Sequence, residues 1–99
     1  MASFNVITYD KDPYSIYNAC KKGDTHRLEW IKNNLITPFN YDKYAINMAS
    51  KNGHVNVLEW FAKLCKNSEY EFKYCEGAIQ CASENGHIDV LEWFHKSEY

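Results

Sequence analysis

The sequence predicts an all-α fold, a short α-solenoid of three helix-turn-helix repeats joined by irregular or strand-like loops. Three observations predict it: the chain repeats itself, each copy carries apolar residues at helical spacing, and a glycine recurs where a helix must end. The 99 residues leave room for a single domain. We divide it into an N-terminal leader at 1–11 and repeats at approximately 12–40, 41–73 and 74–99.

The clearest repeat is a stretch of thirteen residues. Ala49–Phe61 reads ASKNGHVNVLEWF and Ala82–Phe94 reads ASENGHIDVLEWF, so the two are identical at ten of thirteen positions. A fainter copy, Ala19–Ile31, reads ACKKGDTHRLEWI and shares six of the thirteen with the middle one. Because each such unit exposes an apolar face that only a neighbouring copy can cover, we expect the three copies to stack.

Within a copy the pattern is helix, tight turn, helix. In the middle copy Ile46 and Ala49 lie three residues apart on one short helix, and Gly53 follows where a helix end favours a positive φ. After the glycine, Val55 and Leu58 begin an apolar stripe at spacings of three and four. The same order in the other copies predicts six helices.

The segments outside the helical pairs are less regular. Asn67–Tyr74 alternates aromatic with charged residues, which is typical of an extended segment and predicts a strand-like loop. Pro38 keeps the first connection out of helical conformation. The leader contains the β-rich run Phe4–Tyr9, and Asp12 and Pro13 behind it suit the N-cap and first residue of the first helix.

The order Ala, Ser, two variable residues, Gly, His, then an apolar helix, at a step of 33 residues, resembles the ankyrin repeat. The matching residues are Ala49, Gly53, His54, Leu58 and Phe61 in the middle copy and Ala82, Gly86, His87, Leu91 and Phe94 in the last. The resemblance covers roughly residues 12–99, and the LEWF and SEYEFKY runs resemble the divergent ankyrin-like families of giant amoeba-infecting DNA viruses. It departs where Asp24 replaces the histidine in the first copy and where SEYEFKY replaces the usual hairpin.

The resemblance implies a non-catalytic module for protein–protein interaction, with a host protein as its partner and the host cytoplasm as its location. Ankyrin repeats bind proteins through their concave side, which includes the two variable positions in front of the glycine. Carried over to this chain, those positions are Lys21, Lys22, Lys51, Asn52, Glu84 and Asn85.

Aromatic residues in the connecting loops form a second set of candidate partner-binding residues. Aromatic residues make up 16% of the chain, and rigid rings at loop tips are common anchors of protein interfaces. The candidates are Tyr41, Tyr70, Phe72 and Tyr74. The alternative is that these rings cover the helices beneath them.

Composition and spacing exclude several classes of function. Lys and Arg number 11 against 13 Asp and Glu, and they form no basic stripe, so we expect no nucleic-acid partner. The apolar runs fall far short of the roughly 20 residues that span a bilayer, so we expect no membrane partner. No nucleophile, base and orienting group come together in the sequence, which predicts no enzyme and no cofactor.

The cysteines and histidines favour structural roles. The four cysteines form no CxxC pair, which favours reduced thiols in a cytosolic protein. Cys75, Cys81, His87 and His95 are spaced too widely for a zinc site, so no metal is predicted. His54 and His87 share a repeat position with Asp24, so we predict that all three side chains cap the backbone of a following helix.

Tryptophan and glutamate also recur in step. Trp30, Trp60 and Trp93 predict a ladder of indoles buried against adjacent units, with a binding surface as the alternative. Glu29, Glu59 and Glu92 stand beside them, and a solvated face is favoured over an acidic binding stripe.

The last copy reaches Tyr99 directly after its second helix, so we expect its apolar residues Val90 and Phe94 to need a cover. The candidates are a second copy of the chain, the leader, or further repeats. The alternative function is therefore a structural self-assembling unit that homo-oligomerises through its terminal repeat.

Overall fold

The computed structural model describes residues 16–34, 41, 43–66, 72–74 and 76–97. Those residues form the six α-helices α1 (Ile16–Lys22), α2 (Thr25–Asn34), α3 (Lys43–Lys51), α4 (Val55–Lys66), α5 (Glu76–Glu84) and α6 (Ile88–Lys96). No strand occurs within the described ranges. The prediction of an all-α, repeat-like fold is confirmed.

The helices pair in chain order, and the three pairs stack side by side. We call them unit 1 (α1 and α2), unit 2 (α3 and α4) and unit 3 (α5 and α6). The first helices α1, α3 and α5 pack against one another in one layer, with α3 in the middle. The second helices form the other layer, in which neighbours touch less closely than the first helices do.

A glycine closes each first helix, as the spacing predicts. Gly53 has φ of 76°, and its backbone N–H donates to the carbonyl of Ser50 at 3.2 Å. The next N–H, that of His54, donates to the carbonyl of Ala49 at 2.9 Å. This is the hydrogen-bond pattern of a Schellman motif, which needs a residue that tolerates positive φ. The turn reverses the chain, so that α4 packs back against α3.

The core lies between the two layers and between neighbouring units. The recurring alanines Ala19, Ala49 and Ala82 are buried, and their small side chains let the helices of a unit approach closely. The larger buried side chains come mainly from the apolar stripes of the helices, and they include Leu28, Ile31, Ile46, Val57, Leu58, Phe61, Val90 and Phe94.

Several predictions fall partly or wholly outside the described residues. They concern the leader, the cap at Asp12 and Pro13, and the first connection around Pro38. Of the segment Asn67–Tyr74, only 72–74 is described, and these three residues have no regular secondary structure. No helix in the described part of the chain is long and apolar enough to cross a bilayer.

Candidate functional site

The residues at the C-terminal ends of the first helices form one exposed row. We call this row the turn ridge, and its members are Lys21, Lys22, Lys51, Asn52, Glu84 and Asn85. All six are exposed. Each unit contributes two neighbouring residues, because the same turn follows each first helix. The ridge therefore brings together the six turn residues that the ankyrin resemblance implies for binding.

The two asparagines of the turn ridge have a role in the fold as well. Asn52 Nδ2 donates to the carbonyl of Met48 at 2.8 Å, and Asn85 Nδ2 donates to the carbonyl of Cys81 at 2.7 Å. Each amide adds a second hydrogen bond to a carbonyl that already accepts the backbone N–H of the same asparagine, at 3.2 Å for Asn52 and 3.1 Å for Asn85. Each asparagine thus uses an amide donor inside its own unit, and the charged residues are the main contact groups of the ridge.

Charge changes sign along the turn ridge. Unit 1 contributes Lys21 and Lys22, unit 2 contributes Lys51, and unit 3 contributes Glu84. Glu84 accepts a hydrogen bond from Gln80 Nε2 at 3.2 Å. This bond holds the carboxylate along the surface of α5, the helix to which both residues belong. A partner that lies along the ridge meets positive charge at units 1 and 2 and negative charge at unit 3.

Tyr41 is a core residue, and the prediction that it binds a partner is wrong. Only 6% of its surface is exposed, and its ring centroid lies 4.5 Å from that of Phe61. The Tyr41 hydroxyl accepts a hydrogen bond from the backbone N–H of Lys73 at 3.1 Å and lies 3.6 Å from Cys65 Sγ. The ring is buried because it covers the apolar side of α4.

Phe72 and Tyr74 cover unit 3 in a similar way. Phe72 is 8% exposed, and its ring stacks on that of Trp93 with the centroids 5.7 Å apart. The half-buried Tyr74 packs on Phe94 with the ring centroids 5.1 Å apart. Both rings fit the alternative of a cover over the helices, and the burial of Phe72 contradicts the prediction that it binds a partner. Partner binding by the half-buried Tyr74 stays a prediction. Folding back removes the large aromatic surface of α6 from water. Tyr70 lies outside the described residues.

The prediction that Asp24, His54 and His87 all cap helices holds only for Asp24. Asp24 Oδ1 accepts a hydrogen bond from the backbone N–H of Arg27 at 3.0 Å, which is the usual N-cap contact. His87 makes no capping hydrogen bond at the start of α6. The His54 ring instead places Nε2 2.9 Å from the carbonyl oxygen of Lys21 in unit 1.

Both histidines pack on the glycine of the preceding unit. A Cβ added to Gly23 would lie 2.6 Å from His54 Nδ1, and one added to Gly53 would lie 2.7 Å from His87 Nδ1. Each glycine is therefore required both for its positive φ and for the space above it. The contact was not predicted from the sequence, although the Gly-His pair that recurs 33 residues apart, at Gly53-His54 and Gly86-His87, was its visible signal.

Two further hydrogen bonds join unit 2 to unit 1. Asn56 Nδ2 donates to the carbonyl of Gly23 at 2.9 Å, and Trp60 Nε1 donates to Glu29 Oε1 at 2.9 Å. The bond from Trp60 and the nearby ammonium of Lys32, 3.3 Å from Glu29 Oε2, lower the pKa of Glu29. Together with the contact of His54, these bonds form what we call the interlock between units.

The tryptophan ladder is only partly present. Trp60 and Trp93 are half-buried and pack edge-on against Phe61 and Phe94. Trp30 is 45% exposed, so the prediction that it is buried against an adjacent unit is wrong. Its ring lies beneath the guanidinium of Arg27, at 5.6 Å.

Cys20, Cys65 and Cys81 are the cysteines in the described ranges, and they form no disulfide there. Burial raises the pKa of the Cys20 thiol far above its usual value, so this thiol stays protonated and unreactive. The described ranges hold no group of three or more His, Cys, Asp or Glu side chains positioned to bind a metal ion.

Comparisons of the chain with known proteins find no matching family model, no matching curated protein and no matching solved structure.

Proposed function

We propose that this chain is a non-catalytic protein-binding module that holds its partner along the turn ridge. The observation that carries the proposal is the burial of the loop rings Tyr41 and Phe72 together with the exposure of all six ridge residues. Among the described residues of the two surfaces that the sequence suggests for binding, those of the ridge are the more accessible to another molecule.

The charges along the turn ridge indicate which charges the partner carries. Lys21, Lys22 and Lys51 favour acidic side chains opposite units 1 and 2, and Glu84 favours a basic one opposite unit 3. Exposed charges steer association and fix its orientation, and salt screens their effect. The partner is thus a protein with an acidic stretch that ends in a basic residue, and its binding weakens as ionic strength rises.

The resemblance to ankyrin repeats supports the same function, since those repeats serve mainly to bind proteins. The resemblance to viral families supports a host protein as the partner. Within the described ranges Cys20, Cys65 and Cys81 form no disulfide, which fits a reducing compartment such as the cytoplasm.

The test is to capture a partner from lysate by crosslinking to the tagged chain and then to titrate it against a charge-reversed variant. The variant carries Lys22→Glu, Lys51→Glu and Glu84→Lys. We expect its affinity to fall at least tenfold, with a weaker salt dependence, because each reversal places like charges together. Helicity and melting temperature should stay unchanged, since all three side chains are exposed.

The matched control reverses the same number of charges on the layer of second helices. Lys63→Glu, Lys96→Glu and Glu92→Lys give the same change in net charge at exposed positions of α4 and α6. This control should bind the partner as the wild type does. If the control loses as much affinity as the ridge variant, or if the ridge variant binds normally, the ridge is not the binding surface.

A further inference from the structure

Unit 3 has one face that points away from unit 2, and this face is apolar and exposed. We call it the distal face, and its members are Ile79, Ser83, Gly86 and Ile88. Ile79 is 41% exposed and Ile88 is 67% exposed. These values are high for isoleucine, which is among the residues most often buried.

The equivalent face of unit 2 shows what such a surface binds. Ile46 and Ser50, the equivalents of Ile79 and Ser83, are fully buried where unit 3 packs against α3. Gly53 carries the ring of His87 from unit 3. Gly86 stands at the same repeat position, yet among the described residues an added Cβ there would meet no atom within 4 Å.

The distal face also repeats the hydrogen-bond acceptors of the interlock. In unit 1 those acceptors are the carbonyls of Lys21 and Gly23 and the carboxylate of Glu29. Unit 3 has their equivalents in the carbonyls of Glu84 and Gly86 and the carboxylate of Glu92, and all three residues are exposed. As in the contact between units 1 and 2, these three acceptors suit the N–H donors of one histidine, one asparagine and one tryptophan.

We propose that the distal face binds a further helical pair that carries His, Asn and Trp at the positions of His54, Asn56 and Trp60. The imidazole of this pair would pack on Gly86 and donate to the carbonyl of Glu84. Its apolar side would cover Ile79 and Ile88. The interaction continues the interface already present between units 1 and 2, and it shares with the turn ridge only the backbone carbonyl of Glu84.

Unit 1 of a second copy of this chain does not provide that helical pair. Asp24 stands where the partner needs a histidine, and a carboxylate cannot donate a hydrogen bond to the carbonyl of Glu84. Asp24 would also bring a negative charge toward Glu84, which repels it. The interlock therefore selects against head-to-tail assembly of identical chains, and a histidine-bearing unit from elsewhere is the occupant that fits.

The test uses the full chain with a copy of residues 34–66 joined after Tyr99. This copy continues the 33-residue step and places its histidine opposite Gly86. The matched control is the same fusion with His54→Asp in the appended copy only, which reproduces the arrangement at Asp24. Urea unfolding and amide hydrogen exchange at Ile88 and Val90 are measured for both fusions and for the parent chain.

We expect the histidine fusion to unfold at a higher urea concentration than the parent and to exchange the amides of Ile88 and Val90 at least tenfold more slowly. The Asp fusion should show little of either effect. Ile79→Glu should leave the parent chain unchanged, because the side chain is exposed, and should cancel the gain of the histidine fusion.

Three outcomes would overturn the proposal. Equal behaviour of the two fusions would show that the face does not recognise the histidine. A parent chain destabilised by Ile79→Glu would show that another segment of this chain covers the face. Concentration-dependent dimerisation of the parent in sedimentation, abolished by Ile79→Glu, would identify a second copy as the occupant. None of these results depends on whether the turn ridge binds a protein.

Discussion

The interface between units 1 and 2 and the interface between units 2 and 3 share the contact of a histidine with a glycine and differ in their hydrogen bonds. In both, a histidine ring packs on the glycine of the preceding unit, with His54 on Gly23 and His87 on Gly53. The first interface adds three hydrogen bonds through His54, Asn56 and Trp60. Within the described part of the chain, the ring of His87 makes no hydrogen bond.

The sequence explains the difference. Asp89 stands where unit 2 has Asn56, and its carboxylate accepts a hydrogen bond from the N–H of Val90 at 2.9 Å instead of donating to Gly53. The second interface relies on the connection before α5, where Lys73 donates to Tyr41 through its backbone and through Nζ, each at 3.1 Å. The contact between a glycine and a histidine is thus common to both interfaces, whereas the hydrogen bonds differ between them.

The largest effect should come from breaking the shared contact. Gly53→Ala places a Cβ in a left-handed conformation, which costs about 1–2 kcal/mol, and against the His87 ring, which costs about 1–3 kcal/mol more. Gly86→Ala is the matched control, since it has the same φ without the overlap. Urea unfolding should show Gly53→Ala as the more destabilised variant. Equal losses would mean that the histidine ring moves aside without cost.

A smaller effect should follow from weakening the second interface alone. Tyr41→Phe removes the oxygen that accepts the part-buried N–H of Lys73, at a cost of about 0.5–1.5 kcal/mol. Tyr17→Phe removes the same hydroxyl from a half-buried ring in α1 that makes no hydrogen bond within the described ranges, and it should stay within about 0.5 kcal/mol of the wild type. Thermal unfolding of both variants gives the comparison. A Tyr41→Phe variant as stable as Tyr17→Phe would show that the bond contributes nothing.

The helical pairs could be predicted because their signals are local. The positive φ of Gly53 ends α3. The spacing of Val57, Leu58 and Phe61 indicates the buried side of α4 without reference to any other part of the chain. Tertiary contacts decide the rest. Aromatic residues at alternate positions suit an exposed anchor and a buried cover equally well, so Phe72 could not be assigned before the position of Trp93 was known.

The role of the histidines shows the same limit. A polar residue directly after the turn glycine suits an N-cap, and Asp24 does act as one. The side chain of His54 reaches a carbonyl 33 residues earlier in the chain, which no local pattern specifies. Comparison of copies could still have suggested it, because the histidines occur only where a preceding unit supplies a glycine.

The smallest expected effect concerns the polar bonds of the first interface and depends on pH. The hydrogen bond from Trp60 and the charge of Lys32 lower the pKa of Glu29 in the folded chain. A carboxyl group with a lowered pKa stabilises the fold when ionised, so its contribution is present above the unfolded pKa of about 4.3 and is lost as pH falls through the folded value. Glu29→Gln should therefore destabilise the chain at pH 7, and the loss should shrink as pH falls through the folded pKa of Glu29. Because Glu29 is exposed, solvent limits the difference to less than about 1 kcal/mol.

The control for this prediction is Glu59→Gln, which removes the same charge at the equivalent position of unit 2. There the following tryptophan, Trp93, stacks on Phe72. Urea unfolding at pH 7 and pH 3 should give a larger pH-dependent loss for Glu29→Gln than for Glu59→Gln. If the two losses match at both pH values, the hydrogen bond between Trp60 and Glu29 does not distinguish the first interface from the second. The hydrogen bonds that stabilise the interlock are then those of His54 and Asn56 alone.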